Sequence, residues 1–475
     1  MNKLLSFTST PQAFPQTRLP EARKQDFNEI YGQFDPKTAA LQASRCSQCG
    51  VPFCQIHCPL GNNIPDWLKL TAEGRLEEAY AASSATNTFP EICGRICPQD
   101  KLCEGNCVIE KGFESVTIGS VEKYITETAF EMGWVKPPLP ARENGVSVGI
   151  IGAGPAGLAA ADILRRKGYA VHIYDRYDRM GGLLIYGIPN FKLEKHVVER
   201  RRALLEKAGI VFHLGFEVGK DAKLEELRTR HAAMLIATGV YKPREIDVPN
   251  VSLAGIFPAL PYLIASNRHC LGDKVKEYDN GTFNAKGKHV VVIGGGDTAM
   301  DCVRTAVRQG AAHVTCLYRR DRPNMPGSAR EVKNAEEEGV EFLWLSAPKA
   351  FVGARKVEKI LATKMRLSTA DASGRQSVTP VENSQFTLKA DMVIKALGFD
   401  AENLPSAFGT PELELSRYGT LAVDSATQMT SLPGVFAAGD IVRGASLVVW
   451  AIKDGRDAAL GMDAWMKAKK KEEAA

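Results

Sequence analysis

The chain has 475 residues, 44% of them hydrophobic and 24% charged, with a net charge of +5. That length points to two or three domains, that composition to a globular enzyme rather than a disordered or fibrous chain, and that charge is too slight to argue for nucleic acid. No run approaches the eighteen or so apolar residues of a membrane span, and "MNKLLSFTSTPQAF" lacks the apolar core and cleavage site of a secretory signal, so the expected compartment is the cytoplasm, where structural disulfides are disfavoured.

Residues 1–145 read as one helical unit built around cysteines. Eight of the eleven cysteines fall between positions 46 and 107, and helical periodicity shows in "IPDWLKLTAEGRLEEAYAAS" and "SVEKYITETAFEMGW". Cys270, Cys302 and Cys316 are scattered, with buried small hydrophobes as their default role. The Pro-rich "VKPPLPARENG", 135–145, marks a boundary. Two strand–glycine turn–helix–strand units follow, "GVSVGIIGAGPAGLAAADILRRKGYAVHIYDR" and "GKHVVVIGGGDTAMDCVRTAVRQGAAHVTCLYRR". They predict an α/β core with parallel sheets and two Rossmann-like dinucleotide-binding domains. The basic end "KAKKKEE" reads as a frayed, solvated tail.

The first fingerprint is Gly152, Gly154 and Gly157, with Asp175 twenty-three residues past Gly152. Its glycines permit a tight turn, close approach to a pyrophosphate and close helix–strand packing, with the phosphates on the helix N-terminus. An acid at that distance suits a ribose diol and repels a 2′-phosphate. Gly181, Gly182 and Leu183 with Lys192 as a phosphate-neutralising cation, the strand "LIATG" (235–239), and "GVFAAGDIVRGASLVVWAIKDGRDAA" (434–459) resemble the two-dinucleotide-binding flavoproteins. That resemblance implies FAD, with Gly439 and Asp440 at the ribityl and phosphate chain. It also puts a helix N-terminus near Ala445, Ser446 and Leu447 at the flavin ring, where it would stabilise anionic reduced flavin.

The second fingerprint is Gly294, Gly296 and Ala299, with Asp297 and Thr298 opening the helix. At the end of its second strand, Arg319 and Arg320 take the place of the acid. Two guanidinium groups suit a 2′-phosphate, so this turn is expected to take NADPH as substrate. The unit lies between "LIATG" and "GVFAAGD", so the NADPH domain is expected as an insertion in the FAD domain: 146–250 and 401–475 for FAD, 251–400 for NADPH. "DMVIKALGF", 391–399, is expected as the strand that returns to the FAD domain.

Residues 146–250 hold no cysteine, which argues against flavin-to-dithiol chemistry. The thiol spacing is C-x2-C-x4-C-x3-C-P at Cys46, Cys49, Cys54 and Cys58, then C-x3-C-P-x4-C-x3-C at Cys93, Cys97, Cys103 and Cys107. Two runs with Cys-Pro resemble two-cluster ferredoxins more than zinc modules, which favour separated pairs. A zinc docking module remains the alternative of another class. His57 reads as a satisfied surface or supporting residue rather than a ligand.

In this order, "CSQCGVPFCQIHCP", "EICGRICPQDKLCEGNC", "GAGPAGLAAA", "GGGDTAMDC" and "GVFAAGDIVRGASLVVWAI" closely resemble the small (β) subunits of bacterial NADPH-dependent glutamate synthases over essentially the whole length. The module is also similar to the N-terminal part of dihydropyrimidine dehydrogenase and to subunits of electron-bifurcating transhydrogenases. The resemblance implies two [4Fe–4S] clusters, one on Cys46, Cys49, Cys54 and Cys107, the other on Cys58, Cys93, Cys97 and Cys103. It implies electron flow from NADPH through FAD and the clusters to the FMN of a large (α) subunit, which makes L-glutamate from L-glutamine and 2-oxoglutarate, hence a hetero-oligomer. A free-standing or bifurcating NADPH:ferredoxin-type oxidoreductase is the alternative. No catalytic acid, base or nucleophile is required, and none is assigned.

Overall fold

A computed structural model describes residues 5–371 and 376–473; the first four residues of the N-terminal stretch and the last two of the tail lie outside the described residues. The helical domain is built from α1 (Pro36–Ala43), α2 (Ile64–Ala72), α3 (Leu76–Thr86), α4 (Pro90–Ile96) and α5 (Ile118–Glu131). Asp35 caps α1, its carboxylate accepting from the backbone N–H of Lys37 and Thr38 at 3.0 Å each. The single helical pattern read over 64–83 is in fact two helices. Gly74, with φ +76°, turns the chain between them, a conformation that favours glycine. Trp67, Ile118, Val121 and Ile125 form the centre of this domain's core.

The first α/β domain starts with β1 (Ser147–Ile151), α6 (Pro155–Arg166), β2 (Ala170–Asp175), β3 (Val211–Leu214) and β4 (Ala233–Ile236). The chain then leaves for a second domain: β5 (Ile256–Pro258), β6 (His289–Ile293), α7 (Asp297–Arg308), β7 (His313–Leu317), α8 (Ala329–Glu337) and β8 (Glu341–Leu343). Three antiparallel strands follow, β9 (Ser346–Val352), β10 (Lys359–Leu367) and β11 (Val378–Lys389), and then β12 (Met392–Lys395). The chain returns to the first domain with β13 (Val435–Ala437) and closes on α9 (Val448–Glu473).

Both main sheets are parallel. The first has the order β13-β4-β1-β2-β3 and the second β5-β12-β6-β7-β8. Strand β13 completes the first sheet after the second is finished, so the second domain is inserted in the first. In each sheet the chain reverses beside the strand that precedes the glycine turn, the place where α/β folds open a crevice.

Three sequence expectations need correction. "DMVIKALGF" does not return to the first sheet: β12 pairs with β5 and β6 inside the second, and the crossing is made by Phe399–Asp400 against Lys242–Pro243. The C-terminal basic run is exposed but not frayed; it continues α9 to Glu473. Cys302 and Cys316 are fully buried, whereas Cys270 is exposed.

Candidate functional site

At the end of β1 the chain turns at Gly152, whose φ is +110° and where a Cβ would come within 2.3 Å of the Ala237 carbonyl oxygen. A Cβ on Gly157 would lie 2.0 Å from the Gly152 oxygen, so α6 packs directly under the turn. Gly154 has nothing within 4 Å of that position and faces open space. The open space is a cavity of about 100 Å³ lined by Gly152, Gly154, Asp175, Gly182, Leu183, Asp440, Ser446 and Leu447, which sequence reading had singled out, and by Thr238, Tyr241 and Val448, which it had not. Gly439, with φ +78°, sits behind this wall and lets β13 turn into Asp440. Only "LIATG" pointed to Thr238, and nothing marked Tyr241.

Asp175 accepts the backbone N–H of Ala153 at 2.6 Å and of Tyr177 at 2.8 Å, which fixes both carboxylate oxygens beside the turn. Burial pushes its pKa up against those two hydrogen bonds. Burial likewise pushes Asp440 up to about 6. The Thr238 hydroxyl is buried without a partner in this wall. A buried hydroxyl left unpaired is costly, and it fits a bound molecule with polar groups. An elongated ligand with a diphosphate on the open glycine, a hydroxylated chain at Thr238 and Asp440, and a flat ring at the start of α9 suits the cavity. Lys192 is not on this wall. Its ammonium donates to Asp301 at 2.9 Å and lies 3.6 Å from Glu331, both on the inserted domain.

The second turn repeats the first. Gly294 has φ +146° and a Cβ there would lie 2.3 Å from the Ala396 oxygen, while Gly296 faces open space. Asp297 accepts the Ser328 backbone N–H at 3.0 Å and so holds the loop before α8 against the turn; Thr298 is half-buried beside it. Arg319 is exposed and Arg320 half-buried just past β7, and among the described residues neither guanidinium has an ion-pair partner. A cation pair left free beside a diphosphate-type turn is what a 2′-phosphate needs.

All eleven cysteines are unbridged. Cys58, Cys93, Cys97 and Cys103 line one enclosed cavity, with Asn87, Glu122 and Val449. Cys46, Cys49, Cys54 and Cys107 line a second, with Phe53 and Val108. Ile118 lines both. Among the described residues no three Cys, His, Asp or Glu side chains are arranged to hold a single metal ion. Each quartet lines a cavity of its own. Burial pushes the Cys46 and Cys58 thiols up to about 11 and Cys54 to about 12. Cys103 is pushed well up by burial, and Cys97 by its hydrogen bond with Cys93 and then by burial. A buried thiolate needs a positive group beside it, which a metal cluster provides. His57 is exposed, with Nδ1 2.9 Å from the Phe53 carbonyl oxygen, and lines neither cavity.

Comparison with known proteins agrees with this layout. Residues 23–134 match the family described as dihydropyrimidine dehydrogenase domain II, 4Fe-4S cluster, and residues 146–455 match pyridine nucleotide-disulphide oxidoreductase. The chain is 65% identical to the glutamate synthase [NADPH] small chain of Azospirillum brasilense over 98% of its own length and 97% of that protein's. It is 46% identical to the small chain of Escherichia coli over 97% and 98%. A putative oxidoreductase of Escherichia coli, AegA, is 44% identical over 99% of this chain and 72% of that one. The fold of FprA from Mycobacterium tuberculosis, solved in complex with NADPH, is similar with a TM-score of 0.59 at 19% identity, covering 69% and 86%. The protein is therefore an NADPH-dependent FAD oxidoreductase with an iron–sulfur domain at its N-terminal side. Within that class it belongs to the glutamate synthase [NADPH] small chain family.

No helix among the described residues is long and apolar enough to cross a membrane.

Proposed function

We propose that this chain is the electron-input subunit of a glutamate synthase and that its two thiol quartets hold two [4Fe–4S] clusters in series. The observation that carries this reading is at the start of α9. Val448 lines the cavity at the first glycine turn, and the next residue, Val449, lines the cavity of Cys58, Cys93, Cys97 and Cys103. Ile118 then separates that quartet from Cys46, Cys49, Cys54 and Cys107. The outer quartet reaches the surface, because Phe53 and Val108 in its wall are 46% and 52% exposed.

FAD at the first turn supplies the change from the two-electron chemistry of NADPH to the one-electron chemistry of the clusters. The chain's own residues do the rest. Gly152 and Gly154 admit the diphosphate, Gly157 lets α6 approach it, and Asp175 holds the adenosine ribose. Gly182, Leu183, Gly439, Asp440, Ser446 and Leu447 enclose the ribityl and ring end. Gly294, Gly296, Asp297 and Thr298 admit the NADPH diphosphate, and Arg319 and Arg320 grip its 2′-phosphate. The domain division 1–145, 146–250, 251–400 and 401–475 follows the same assignment.

The surface beside the outer quartet supports a protein partner there. Val51, Phe53, Ile56, Val108 and Phe113 are all about half exposed and belong to the segments that carry the outer thiols, including the one-turn helices Phe53–Ile56 and Glu110–Phe113. Exposed apolar side chains gathered beside one site favour a contact there. The partner is a large subunit carrying FMN, which makes L-glutamate from L-glutamine and 2-oxoglutarate in the cytoplasm, as a hetero-oligomer. Alone, the chain reduces artificial acceptors with NADPH.

The test pairs two variants in the complex with the large chain. Cys58→Ser should remove the inner cluster signal and Cys46→Ser the outer one in low-temperature electron paramagnetic resonance. Both should stop glutamate formation while flavin reduction by NADPH persists. Zinc found in place of iron and sulfide, or co-purification with a small ferredoxin-like partner instead of a large FMN-containing chain, would overturn the reading.

A further inference from the structure

Two short strands, Lys242–Pro243 and Phe399–Asp400, are the only paired strands that join the inserted domain to the first one among the described residues. They form two register pairs, and the one ion pair on them, Arg244–Asp400, is half exposed. Such a link resists separation but offers little resistance to rotation. The angle between the two nucleotide turns must therefore be set elsewhere.

A buried contact that bears on it lies on the loop that follows Gly182 and Leu183, beside the Asn267 amide's 2.9 Å hydrogen bond to the Tyr186 carbonyl and the Arg179–Asp273 ion pair. Phe191 is fully buried, with the guanidinium of Arg304 4.6 Å and that of Arg308 3.9 Å from its ring centre. Both arginines belong to α7, the helix that opens at Asp297. The adjoining Lys192 donates to Asp301, one helical turn beyond Asp297, with side chains only 12% and 9% exposed. The N-terminal arm fastens the same joint. Arg23 donates to the Asn334 carbonyl at 3.2 Å and pairs with Glu337 at 2.8 Å on and near α8, while the Ile30 N–H donates to the Phe191 carbonyl at 3.2 Å.

We propose that Phe191 and Lys192 are positioning residues that hold α7 at one angle to the flavin wall, so that nicotinamide meets flavin without rotation of the inserted domain. The inference rests on the reading that FAD and NADPH occupy the first and second turns. It assigns Lys192 to the joint between the domains rather than to a phosphate. The segment that walls the first cavity at Gly182 and the helix that cradles the second nucleotide at Gly296 are joined by one buried ion pair and one aromatic ring between two guanidiniums.

The test uses the cofactor-loaded full chain with Lys192→Met, which keeps the aliphatic stem, and Asp301→Asn, which breaks the same pair from the other side. Each is followed by anaerobic single-turnover flavin reduction and by amide hydrogen exchange at Lys242, Arg244, Phe399 and Asp400. Both variants should keep FAD and bind NADPH within about 2-fold of the parent. The reduction rate at saturating NADPH should fall by about 10-fold or more, since small misplacements of reacting groups are that costly, and exchange at the link should quicken. Lys192→Arg should recover most of the rate. Parental rates and exchange in both variants, or a loss wholly in NADPH affinity, would overturn the proposal. Failure of the underlying site reading would look different: NADPH would not reduce the flavin of the parent protein.

Discussion

The two glycine turns share one backbone plan and differ in what stands beside them. In both, the first glycine is pressed against the end of a neighbouring strand, where a Cβ would lie 2.3 Å from a carbonyl oxygen, and the second faces open space. At the first turn the neighbour at the end of the second strand is an acid whose two oxygens are already held by backbone N–H groups. At the second, two arginines stand there without ion-pair partners among the described residues. The first cavity is also walled by Leu447 and by Val448, the first residue of α9. The difference supports the proposed assignment of a resident cofactor to the first turn and a substrate to the second. The enclosed turn suits a resident cofactor, and the one with free cations suits a substrate that must leave after each turnover.

The largest expected effect breaks this contrast directly. Gly154→Leu and Gly296→Leu both fill open space, so neither strains the backbone around its own turn. Gly154→Leu should yield colourless protein with no NADPH-dependent activity. Gly296→Leu should remain yellow and hold its flavin oxidised when NADPH is added. Absorbance at the flavin bands before and after anaerobic NADPH separates the two, and a yellow Gly154→Leu protein would end the assignment of the first turn to FAD.

Replacing Arg319 and Arg320 together by Ala sharpens the same comparison at the substrate side. Each charged hydrogen bond contributes about 1.5–3 kcal/mol, so NADPH affinity should fall about 100-fold or more while NADH changes by less than about 2-fold. Equal losses for the two nucleotides would remove the 2′-phosphate from the argument. Steady-state KM values for both substrates are sufficient to decide it.

What the sequence made legible, and what it hid, follows the same division between local and distant determinants. The glycine turns, Asp175 and the arginine pair are read within some thirty residues of chain, because a strand, a turn and a helix N-terminus are local objects. So is the clustering of eight thiols. Which thiols share a cavity is not local: Cys107 joins Cys46, Cys49 and Cys54 across about fifty residues, and only family resemblance anticipated it. Lys192 shows the limit most sharply. Its charge and its place after Gly182 are visible in sequence, but its direction depends on a helix a hundred residues later. Tyr241 was hidden, and of Thr238 only its place in "LIATG" was visible, since both become part of the wall only when β4 lies beside β1. The antiparallel strands β9 to β11 gave no fingerprint at all, because no G-x-G-x-x-G turn accompanies them.

The smallest expected effect concerns pH and again distinguishes the two sheets. The first sheet carries His172 and His213, whose ring nitrogens are 3.1 Å apart, with the His231 ring 5.1 Å from that of His172. His231 is buried, with Nδ1 2.7 Å from the Ser147 hydroxyl and Nε2 2.9 Å from the Tyr174 hydroxyl, so the neutral ring is fully satisfied. Burial, then the two neighbouring histidines and Arg230, bring its pKa down to about 4. The sign follows from linkage: between the ordinary value of 6.5 and about 4 the unfolded chain takes up a proton that the folded domain refuses, so stability is lost as pH falls through that window. The second sheet has only His289 and His313, 6.0 Å apart and more open to solvent. Acid should therefore loosen the flavin domain first. Flavin release monitored by fluorescence should precede loss of the inserted domain as pH drops from 6.5 towards 4. His231→Gln should lessen the acid-dependent fall in Tm on the order of 3 °C, the response of a domain this size to about 1 kcal/mol. If flavin release and global unfolding coincide at every pH in that window, and the variant shifts neither, the histidine stack has no part in the acid response and the two sheets differ only in the nucleotides they hold.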